Sequence, residues 1–518
     1  MTVTWTRRDD WCCVALAALA LIAVVIAISP HPAGVVQDDG AYVILGKAIA
    51  EGEGYRFINL PNEPPATHFP PLYPLILAGL WKVSPPFPAN IVVFKIANAV
   101  FLACGALGAF WFARHHLQLR PITAAIGTGV FVISAPLVSL ATMVLSEAPF
   151  LALLFPTLVL AERAVAREGD TRALMAGLAA GALGLLRTLG ILVLPALAVV
   201  LLVQRRWRAA GLAIVGAAVI ALPWQLWALA HDHELPAALA GKYGSYLGWF
   251  LGGVGMGGGE FLLAVLRENL RHTGDFLSAT FGAGGAHWLL RALLIATTVA
   301  VLVIGARDMI RRASVSATFV GGYVAVVLLW PFPPDRFYWA IWPLLGFAFV
   351  LGVQRAAQSV ASSVTLRASV YAATALLVAL YARPHLLGAP DLWIGQVQTA
   401  VAERSAPIVE WVGAATRPND IIVTEDDALV YLYTGRHAVP AGAFTPQEYV
   451  NPQSALFASA TLHSIIEAYP IRWVTPSTDM GVQASLGLVR RDPPALRFVG
   501  ALTRGAVFQR VAATTEQP

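Results

Sequence analysis

Long apolar runs recur along the first three quarters of this 518-residue chain, and they constrain its fold more than any other feature. A run of roughly 17–25 apolar residues can cross the hydrocarbon core of a bilayer as a helix. We predict eleven spans, at residues 11–29, 91–112, 121–140, 146–162, 172–186, 188–203, 209–230, 288–305, 316–331, 337–354 and 367–384. The sequence therefore predicts a polytopic α-helical membrane protein.

Composition agrees with this class and excludes several others. The chain is 57% hydrophobic and only 13% charged, whereas a soluble globular protein has about 25% charged residues. Its net charge of +5 comes from basic residues in short connections rather than from one patch, which argues against a nucleic-acid partner. All three cysteines fall in apolar runs, so we expect no disulfide framework, zinc cluster or cysteine nucleophile.

Arginines in the short connections orient the predicted spans, because basic residues concentrate in cytoplasmic loops. A cytoplasmic N-terminus agrees with this bias, because it places thirteen arginines in cytoplasmic connections. They are Arg114, Arg120, Arg163, Arg167, Arg172, Arg205, Arg206, Arg208, Arg307, Arg311, Arg312, Arg355 and Arg367. An odd number of spans then places the C-terminal segment outside the inner (plasma) membrane. The long loops at residues 30–90 and 231–287 are expected on the same extracytoplasmic side.

Residues 385–518 differ in character from the membrane module predicted at residues 1–384. Their apolar runs are shorter, and strands are predicted at 420–424, 471–475, 496–501 and 505–511. Helices are predicted at 426–433 and near 455–468. The alternation of strand and helix indicates a small C-terminal α/β domain with a partly parallel sheet.

Two adjacent carboxylates, Asp38 and Asp39, follow the first predicted span. A carboxylate beside a low-dielectric wall has a raised pKa and can serve as a general base. The structural alternative for Asp39 is that it caps a helix, because the residues after it predict a helix closed by glycine. Further along the same loop, the segment 67–74 reads Thr-His-Phe-Pro-Pro-Leu-Tyr-Pro.

Other polar or small residues have simpler interpretations. Arg187 interrupts the apolar stretch 172–203, and an arginine at the bilayer centre costs at least about 2.5 kcal/mol, so we predict two short spans meeting at this residue. The stretch 231–234 (His-Asp-His-Glu) gives poor chelate geometry on a helix, so no metal site is predicted there. The glycine run 252–259 is predicted to be a flexible outer loop, with an interfacial belt of aromatic residues just before it.

Several motifs, taken in order, resemble the GT-C superfamily of integral-membrane glycosyltransferases. The nearest group is the one that uses polyprenyl-phosphate sugars, with the protein mannosyltransferases, the lipid A aminoarabinose transferase and the Rgt-like bacterial enzymes. The motifs are Asp38-Asp39-x-x-Tyr42, Phe69-Pro-Pro-Leu-Tyr-Pro74, Leu145-Ser-Glu147-Ala-Pro-Phe150, Leu186-Arg187-Thr188-Leu-Gly190, Asp335-Arg336-Phe-Tyr338-x-x-x-x-Pro343 and Leu432-Tyr-Thr-Gly-Arg436. The resemblance spans nearly the whole chain.

The resemblance implies a catalytic pair, with Asp38 as the general base and Asp39 at the position where the family has Glu. Some relatives carry a lysine that contacts the lipid phosphate where this chain has Phe69, so the neighbouring His68 becomes the candidate. The substrate-binding residues that the resemblance and the residue chemistry together suggest are Tyr42, His68, Glu147, Arg187, Arg336 and Tyr338. For the arginines, the structural alternative is anchoring at the headgroup level. For Glu147, it is a favourable charge at a helix N-terminus.

These features predict a membrane glycosyltransferase that moves a sugar from a polyprenyl-phosphate donor to a lipid, glycan or protein acceptor on the outer face, with inversion. The expected partners are that donor, the bilayer and the acceptor. No cofactor is implied with certainty, and a divalent cation stays open. The alternatives are a transporter or flippase, and a non-catalytic partner in envelope assembly. Transporters often show related halves and charges within spans, whereas here the charges gather at the predicted outer helix ends.

Overall fold

The computed structural model describes residues 5–166, 169–235, 237–360, 362–387 and 396–511, and most of them are helical. The α-helices are α1 (Arg7–Ile26), α2 (Asp38–Glu51), α3 (Leu72–Val83), α4 (Asn90–His115), α5 (Pro121–Val132), α6 (Ala135–Ala141), α7 (Glu147–Ala166), α8 (Asp170–Leu186), α9 (Val193–Val203), α10 (Trp207–His231), α11 (Ala237–Tyr243), α12 (Tyr246–Thr280), α13 (Trp288–Arg312), α14 (Ser314–Leu329), α15 (Asp335–Ser359), α16 (Val364–Leu387), α17 (Gln396–Ala415), α18 (Asp427–Thr434), α19 (Ala455–Ala468) and α20 (Asp479–Val489). The strands are β1 (Ile422–Thr424), β2 (Ala438–Pro440), β3 (Trp473–Val474), β4 (Leu496–Ala501) and β5 (Ala506–Arg510).

Eight of the described helices are long and apolar enough to cross a membrane. They are α1, α4, α7, α10, α12, α13, α15 and α16, and the number is nine if the bent pair α5–α6 is one span. The polytopic helical class predicted from the apolar runs is confirmed. Each predicted span falls on a helix or, for 121–140, on the bent pair α5–α6. Helices α8, α9 and α14 are shorter than the eight candidate spans, with 17, 11 and 16 residues.

Much of the segment 231–287, predicted to be a long outer loop, is helical. The 35-residue helix α12 lies there and is one of the eight candidate spans. The glycine run 252–259 belongs to this helix, and within it only Gly258 leaves helical geometry, with φ 55° and ψ −145°. Glycine lowers helix propensity, and the run contains only two larger side chains, Val254 and Met256, yet it remains helical apart from Gly258.

The chain divides into two compact units. The helical unit comprises Met1–Ser29, Lys95–Gln225 and Leu263–Trp393, and the loop-and-tail unit comprises Pro30–Phe94, Leu226–Leu262 and Ile394–Pro518. The domain boundary predicted at residues 384–385 falls in the last turn of α16. Residues 388–395, which follow that helix, lie outside the described residues.

Within the helical unit, small residues allow helices to approach closely. α4 meets α7 at Gly105, where an added Cβ would lie 3.0 Å from the Cβ of Leu151. α7 packs along α8, and α13 packs along α15. Close packing through small residues is the usual way in which helices associate in a bilayer, where apolar burial gives little driving force.

The loop-and-tail unit contains a five-stranded sheet with the order β2-β1-β3-β5-β4. β1 is parallel to both β2 and β3, whereas β5 is antiparallel to β3 and β4. The partly parallel sheet and the closing hairpin predicted for the tail are confirmed. Helix α18 follows β1 and ends at Gly435, which has φ 70°, and α19 has the bounds that the sequence predicts.

Helix α2 packs against α18 within the same unit. Ile44 and Ala48 of α2 form a buried cluster with Ile58 and Ala428. This close packing of α2 and the preceding segment against α18 requires glycine at two positions. A Cβ at Gly40 would lie 2.9 Å from the Cβ of Ala428, and a Cβ at Gly34 would be similarly close to α18. This contact fixes the first turn of α2, which carries Asp38 and Asp39, the predicted catalytic pair.

Candidate active site

Three charged side chains meet at helix ends in the helical unit. Glu147 is the first residue of α7, and its side chain is fully buried. Arg187 Nη1 lies 2.8 Å from Glu147 Oε1, and Arg336 Nε donates to the same oxygen at 2.6 Å. The structure thus brings together three of the residues predicted to bind substrate. We call this group, Glu147 with Arg187 and Arg336, the arginine triad.

A break between two helices sets the position of Arg187. α8 ends at Leu186, Arg187 is extended with φ −144° and ψ 129°, and a 3-10 turn over Thr188–Leu192 leads into α9. This turn can fold back onto α8 because Gly190 has no side chain. A Cβ there would lie 2.6 Å from the carbonyl oxygen of Leu183. The turn predicted at this arginine is confirmed.

The start of α15 sets the position of Arg336. This arginine is the second residue of the helix, directly after Pro334 and Asp335. The hydroxyl of Tyr323 donates to the carbonyl oxygen of Phe337 at 3.1 Å, which ties the first turn of α15 to α14. The guanidinium therefore projects from a held helix start.

The arginine triad carries one net positive charge, because two guanidinium groups share one carboxylate. Arg187 also donates to Ser146 Oγ at 3.2 Å, while Glu147 Oε2 has no hydrogen-bond partner among the described residues. A buried carboxylate is stable only when it is paired, so Glu147 holds the two arginines side by side. Two adjacent guanidinium groups suit phosphate oxygens, which arginine binds with two parallel hydrogen bonds.

Asp39 is a buried structural carboxylate in the loop-and-tail unit. Its oxygens accept hydrogen bonds from the backbone amides of Gly34, at 2.9 Å, and Val36, at 3.0 Å. Burial raises the pKa of Asp39 to about 6, although these amides act in the opposite direction. The side chain therefore holds the loop before α2.

Asp38 has a different environment, on the half-exposed side of the same helical turn. Its negative charge acts on His68, whose pKa is lowered by burial and is raised in part by Asp38 and Asp232. His68 Nδ1 lies 2.6 Å from the carbonyl oxygen of Gly244, so this nitrogen carries the hydrogen and donates it. Nε2 then has the lone pair, and the imidazole is neutral at pH 7.

Tyr42 holds the loop that carries His68. Its buried ring packs edge-on against Phe69 and Tyr73, with 5.0 Å between centroids in each case. The hydroxyl of Tyr55 donates to the carbonyl oxygen of Phe69 at 2.7 Å. These contacts fix the backbone next to His68.

Tyr338 contacts other residues than the arginine triad does. Its hydroxyl is 2.8 Å from Thr273 Oγ1, and its ring lines an apolar cavity of about 180 Å³ within the helical unit. Phe276 and Trp342 line the same cavity. Within the helical unit, Tyr338 therefore contacts a different set of side chains from the arginine triad.

Comparison with solved structures finds a similar fold in ArnT from Cupriavidus metallidurans. Its structure bound to undecaprenyl phosphate matches with a TM-score of 0.58 and 15% identity, over 96% of this chain and 98% of that chain. Its apo structure matches with a TM-score of 0.55 and 15% identity, over 98% and 99% of the two chains. No known protein family and no curated protein matches the sequence.

The chain has the fold of ArnT. The polytopic helical fold with a small C-terminal α/β domain, predicted from the sequence, is therefore confirmed. In this ArnT-like fold the motif residues occupy helix ends. Asp38, Glu147 and Arg336 lie in the first turns of α2, α7 and α15, and Arg187 directly follows α8.

The sequence motifs did not single out two buried polar residues of α4, Lys95 and Asn98. Lys95 is buried in α4 and donates to the carbonyl oxygen of Ser29 at 2.7 Å. Asn98, one turn later, donates to the carbonyl oxygens of Met143 and Leu145 at 2.8 and 3.0 Å, and so holds the segment that leads into α7. A lysine and an asparagine three residues apart inside an apolar span were the available signal.

The described residues contain no group of three or more His, Cys, Asp or Glu side chains that could hold a metal ion. In the stretch 231–234, Asp232 accepts hydrogen bonds from the amide and the hydroxyl of Ser245, both at 2.7 Å. His231 Nδ1 contacts the carbonyl oxygen of Trp227. These two side chains therefore hold backbone segments.

Proposed function

We propose that this protein is a membrane glycosyltransferase that uses a polyprenyl-phosphate-linked sugar as its donor. The observation that carries the proposal is the arginine triad, two guanidinium groups held by one buried carboxylate at the ends of apolar helices. The ArnT-like fold supports it, because ArnT has been solved with undecaprenyl phosphate bound. A donor of this kind has its tail in lipid and its phosphate near the membrane edge, where the spanning helices end.

The triad would bind the phosphate of the donor. Arg187 and Arg336 would interact with its oxygens, while Glu147 keeps the guanidinium groups in place. As the bond between the anomeric carbon and the phosphate oxygen breaks, its electron pair moves onto that oxygen. Preorganised cations then stabilise the developing charge of the leaving group, which is typically a large contribution to catalysis.

Asp38 would be the general base. The acceptor hydroxyl attacks the anomeric carbon from the face opposite the phosphate, which inverts the configuration, and its proton goes to the carboxylate of Asp38. Asp39 is the poorer candidate, because its side chain is buried and both of its oxygens accept hydrogen bonds from backbone amides. A positioned base typically contributes about 10²–10⁴-fold to the rate.

We also propose that the N-terminus is cytoplasmic and that residues 30–90 and the C-terminal α/β domain are extracytoplasmic. The arginine bias of the short connections supports this orientation. The acceptor would then be a hydroxyl-bearing lipid, glycan or protein of the cell envelope.

The direct test is an incubation of the full-length protein in lipid nanodiscs with undecaprenyl-phosphate sugars that are radiolabelled in the sugar, together with a membrane extract as acceptor. We expect label from one of the donors to appear in the acceptor fraction. The control variant Arg291→Gln should give the same transfer, since Arg291 pairs with Asp275 and lies outside the triad. A parallel assay uses the protein in sealed liposomes, where movement of the label across the membrane with the donor intact would show that the protein is a flippase. If no donor is consumed or moved, the non-catalytic alternative holds.

A further inference from the structure

A pocket of about 300 Å³ lies within the loop-and-tail unit, and neither the arginine triad nor Asp38 lines it. Its walls are α11, the first turns of α12 and the segment 443–446. Ligand pockets begin at about this volume, and they combine apolar or aromatic walls with a few polar groups.

One wall of the pocket is an aromatic pair. The ring of Trp249 stacks on that of Phe444, with centroids 5.1 Å apart and only 9° between the planes. The indole Nε1 donates to the carbonyl oxygen of Phe444 at 2.8 Å, which fixes the orientation of the ring. A half-buried, immobilised indole offers a flat surface to the apolar face of a ring-shaped ligand.

A carboxylate lies on another wall. Asp232 Oδ1 accepts hydrogen bonds from Ser245 N and from Thr67 Oγ1, and Oδ2 accepts one from Ser245 Oγ at 2.7 Å. A carboxylate oxygen can accept two hydrogen bonds. Among the described residues Oδ2 accepts only this one, so it can accept another from a ligand hydroxyl.

Helix α12 leaves space in the pocket by presenting two glycines and one methionine to it. Gly248, Gly252 and Met256 recur every four residues, and they therefore lie on one face of the helix. A Cβ added at Gly252 would meet no atom within 4 Å. The space beside this glycine is therefore open.

The pocket adjoins the segment that carries His68. Gly244 lines the pocket, and its carbonyl oxygen accepts the hydrogen bond from His68 Nδ1. Thr67, the preceding residue, bonds the pocket carboxylate Asp232. His68 in turn experiences the charge of Asp38, the proposed base.

We infer that this pocket binds one sugar ring, with the C–H face of the ring on Trp249 and a ring hydroxyl donating to Asp232. The inference rests on the proposed function and deepens it, because a glycosyltransferase handles a sugar on the donor and often another on the acceptor. The combination of one aromatic plane, one carboxylate and nearby hydroxyls fits an amphipathic, hydroxyl-rich ring better than a prenyl tail.

The test compares two leucine substitutions in α12, Gly252→Leu and Gly255→Leu. An added Cβ has open space at both positions and neither glycine has a positive φ, but only Gly252 lines the pocket. Saturation-transfer NMR on the full-length protein in nanodiscs would measure binding of methyl glycosides of common hexoses, pentoses and N-acetylhexosamines, with geraniol as the apolar probe. This measurement needs no transfer activity, so its outcome is independent of the proposed function.

We expect the wild type and Gly255→Leu to bind at least one glycoside, and Gly252→Leu to bind it about tenfold or more weakly, because a leucine side chain fills the space. Equal binding by the two variants, or binding of none of the glycosides by the wild type, would overturn the inference. It would also be overturned if Gly252→Leu reduced binding of geraniol and not of the glycosides.

Transfer kinetics then separate the two sources of the sugar. If the ring belongs to the acceptor, Gly252→Leu raises the KM for the acceptor and leaves release of the donor sugar to water unchanged. If the ring belongs to the donor, both activities fall together. Either result supports a sugar site, and unchanged kinetics for both substrates in Gly252→Leu would contradict it.

Discussion

The guanidinium of Arg187 pairs with the fully buried carboxylate of Glu147, with 2.8 Å between Nη1 and Oε1. A carboxylate of this kind has no access to water, so its stability depends on the two arginines that it accepts from. The same dependence works in reverse, since the arginines would repel each other without the carboxylate between them.

Replacing Glu147 by Gln should therefore destabilise the helical unit. Removal of one partner from a buried ion pair costs about 3–5 kcal/mol, because the remaining charges are left uncompensated. We expect a clear fall in the thermal midpoint of the protein in nanodiscs. Glu268→Gln is the matched control, because Glu268 is partly exposed and pairs with Arg271 near the helix surface. Equal midpoints for the two variants would show that the triad is not a stabilising unit.

Arg187→Gln and Arg336→Gln should each weaken binding of the donor phosphate. We expect a loss of roughly 10- to 100-fold, since a hydrogen bond to a charged group contributes about 1.5–3 kcal/mol. Binding of undecaprenyl phosphate to the nanodisc-embedded protein provides the measurement, with Arg291→Gln as the control. If all three variants bind as the wild type does, Arg187 and Arg336 are headgroup anchors.

Asp39 gives the stability of the loop-and-tail unit a pH dependence of known sign. Its pKa is raised from 3.8 to about 6 in the folded protein, so the folded state binds the proton more tightly than the unfolded state. Its contribution to stability is present in full below pH 3.8 and is lost as the pH rises through about 6. The thermal midpoint of wild type minus that of Asp39→Asn should fall over this window, and a difference independent of pH would contradict the assignment.

The sequence predicts those parts of the fold that depend on local pattern. Helix α2, its glycine end, the turn at Arg187 and the bounds of α19 follow from periodicity and from glycine. Helix α12 does not, because its glycine run predicts a loop. Only the mean hydropathy over the whole segment predicts a span. The short strand β2, with three residues between a glycine-ended helix and a turn, is set by its parallel pairing with β1.

The candidate site shows the same division. Glu147, Arg187 and Arg336 each stand in a family-like motif, so the sequence could single them out separately. Their meeting on one carboxylate oxygen depends on the packing of α7, α8 and α15, which no local pattern contains. Lys95 and Asn98 lie inside an apolar run, and their partners, Ser29 and the segment before α7, are far from them in the sequence.

The proposed orientation is testable with cysteine labelling. In a background where Cys12, Cys13 and Cys104 are replaced by Ser, we expect Ser454→Cys to react with an impermeant maleimide in intact spheroplasts. Ser454 is exposed at the start of α19. Ser314→Cys, at the start of α14, should react only after permeabilisation. The opposite pattern would reverse the orientation, and with it the side on which the proposed transfer occurs.

Asp38→Asn in a single-turnover assay tests the central claim most directly. With the labelled donor identified and the acceptor saturating, the account predicts that release of undecaprenyl phosphate slows by about 10²–10⁴-fold, because the base is lost while the donor phosphate remains bound. Donor affinity should stay within a few-fold of the wild type. Near-normal release by Asp38→Asn would contradict the account, and would remove this carboxylate from the proposed chemistry.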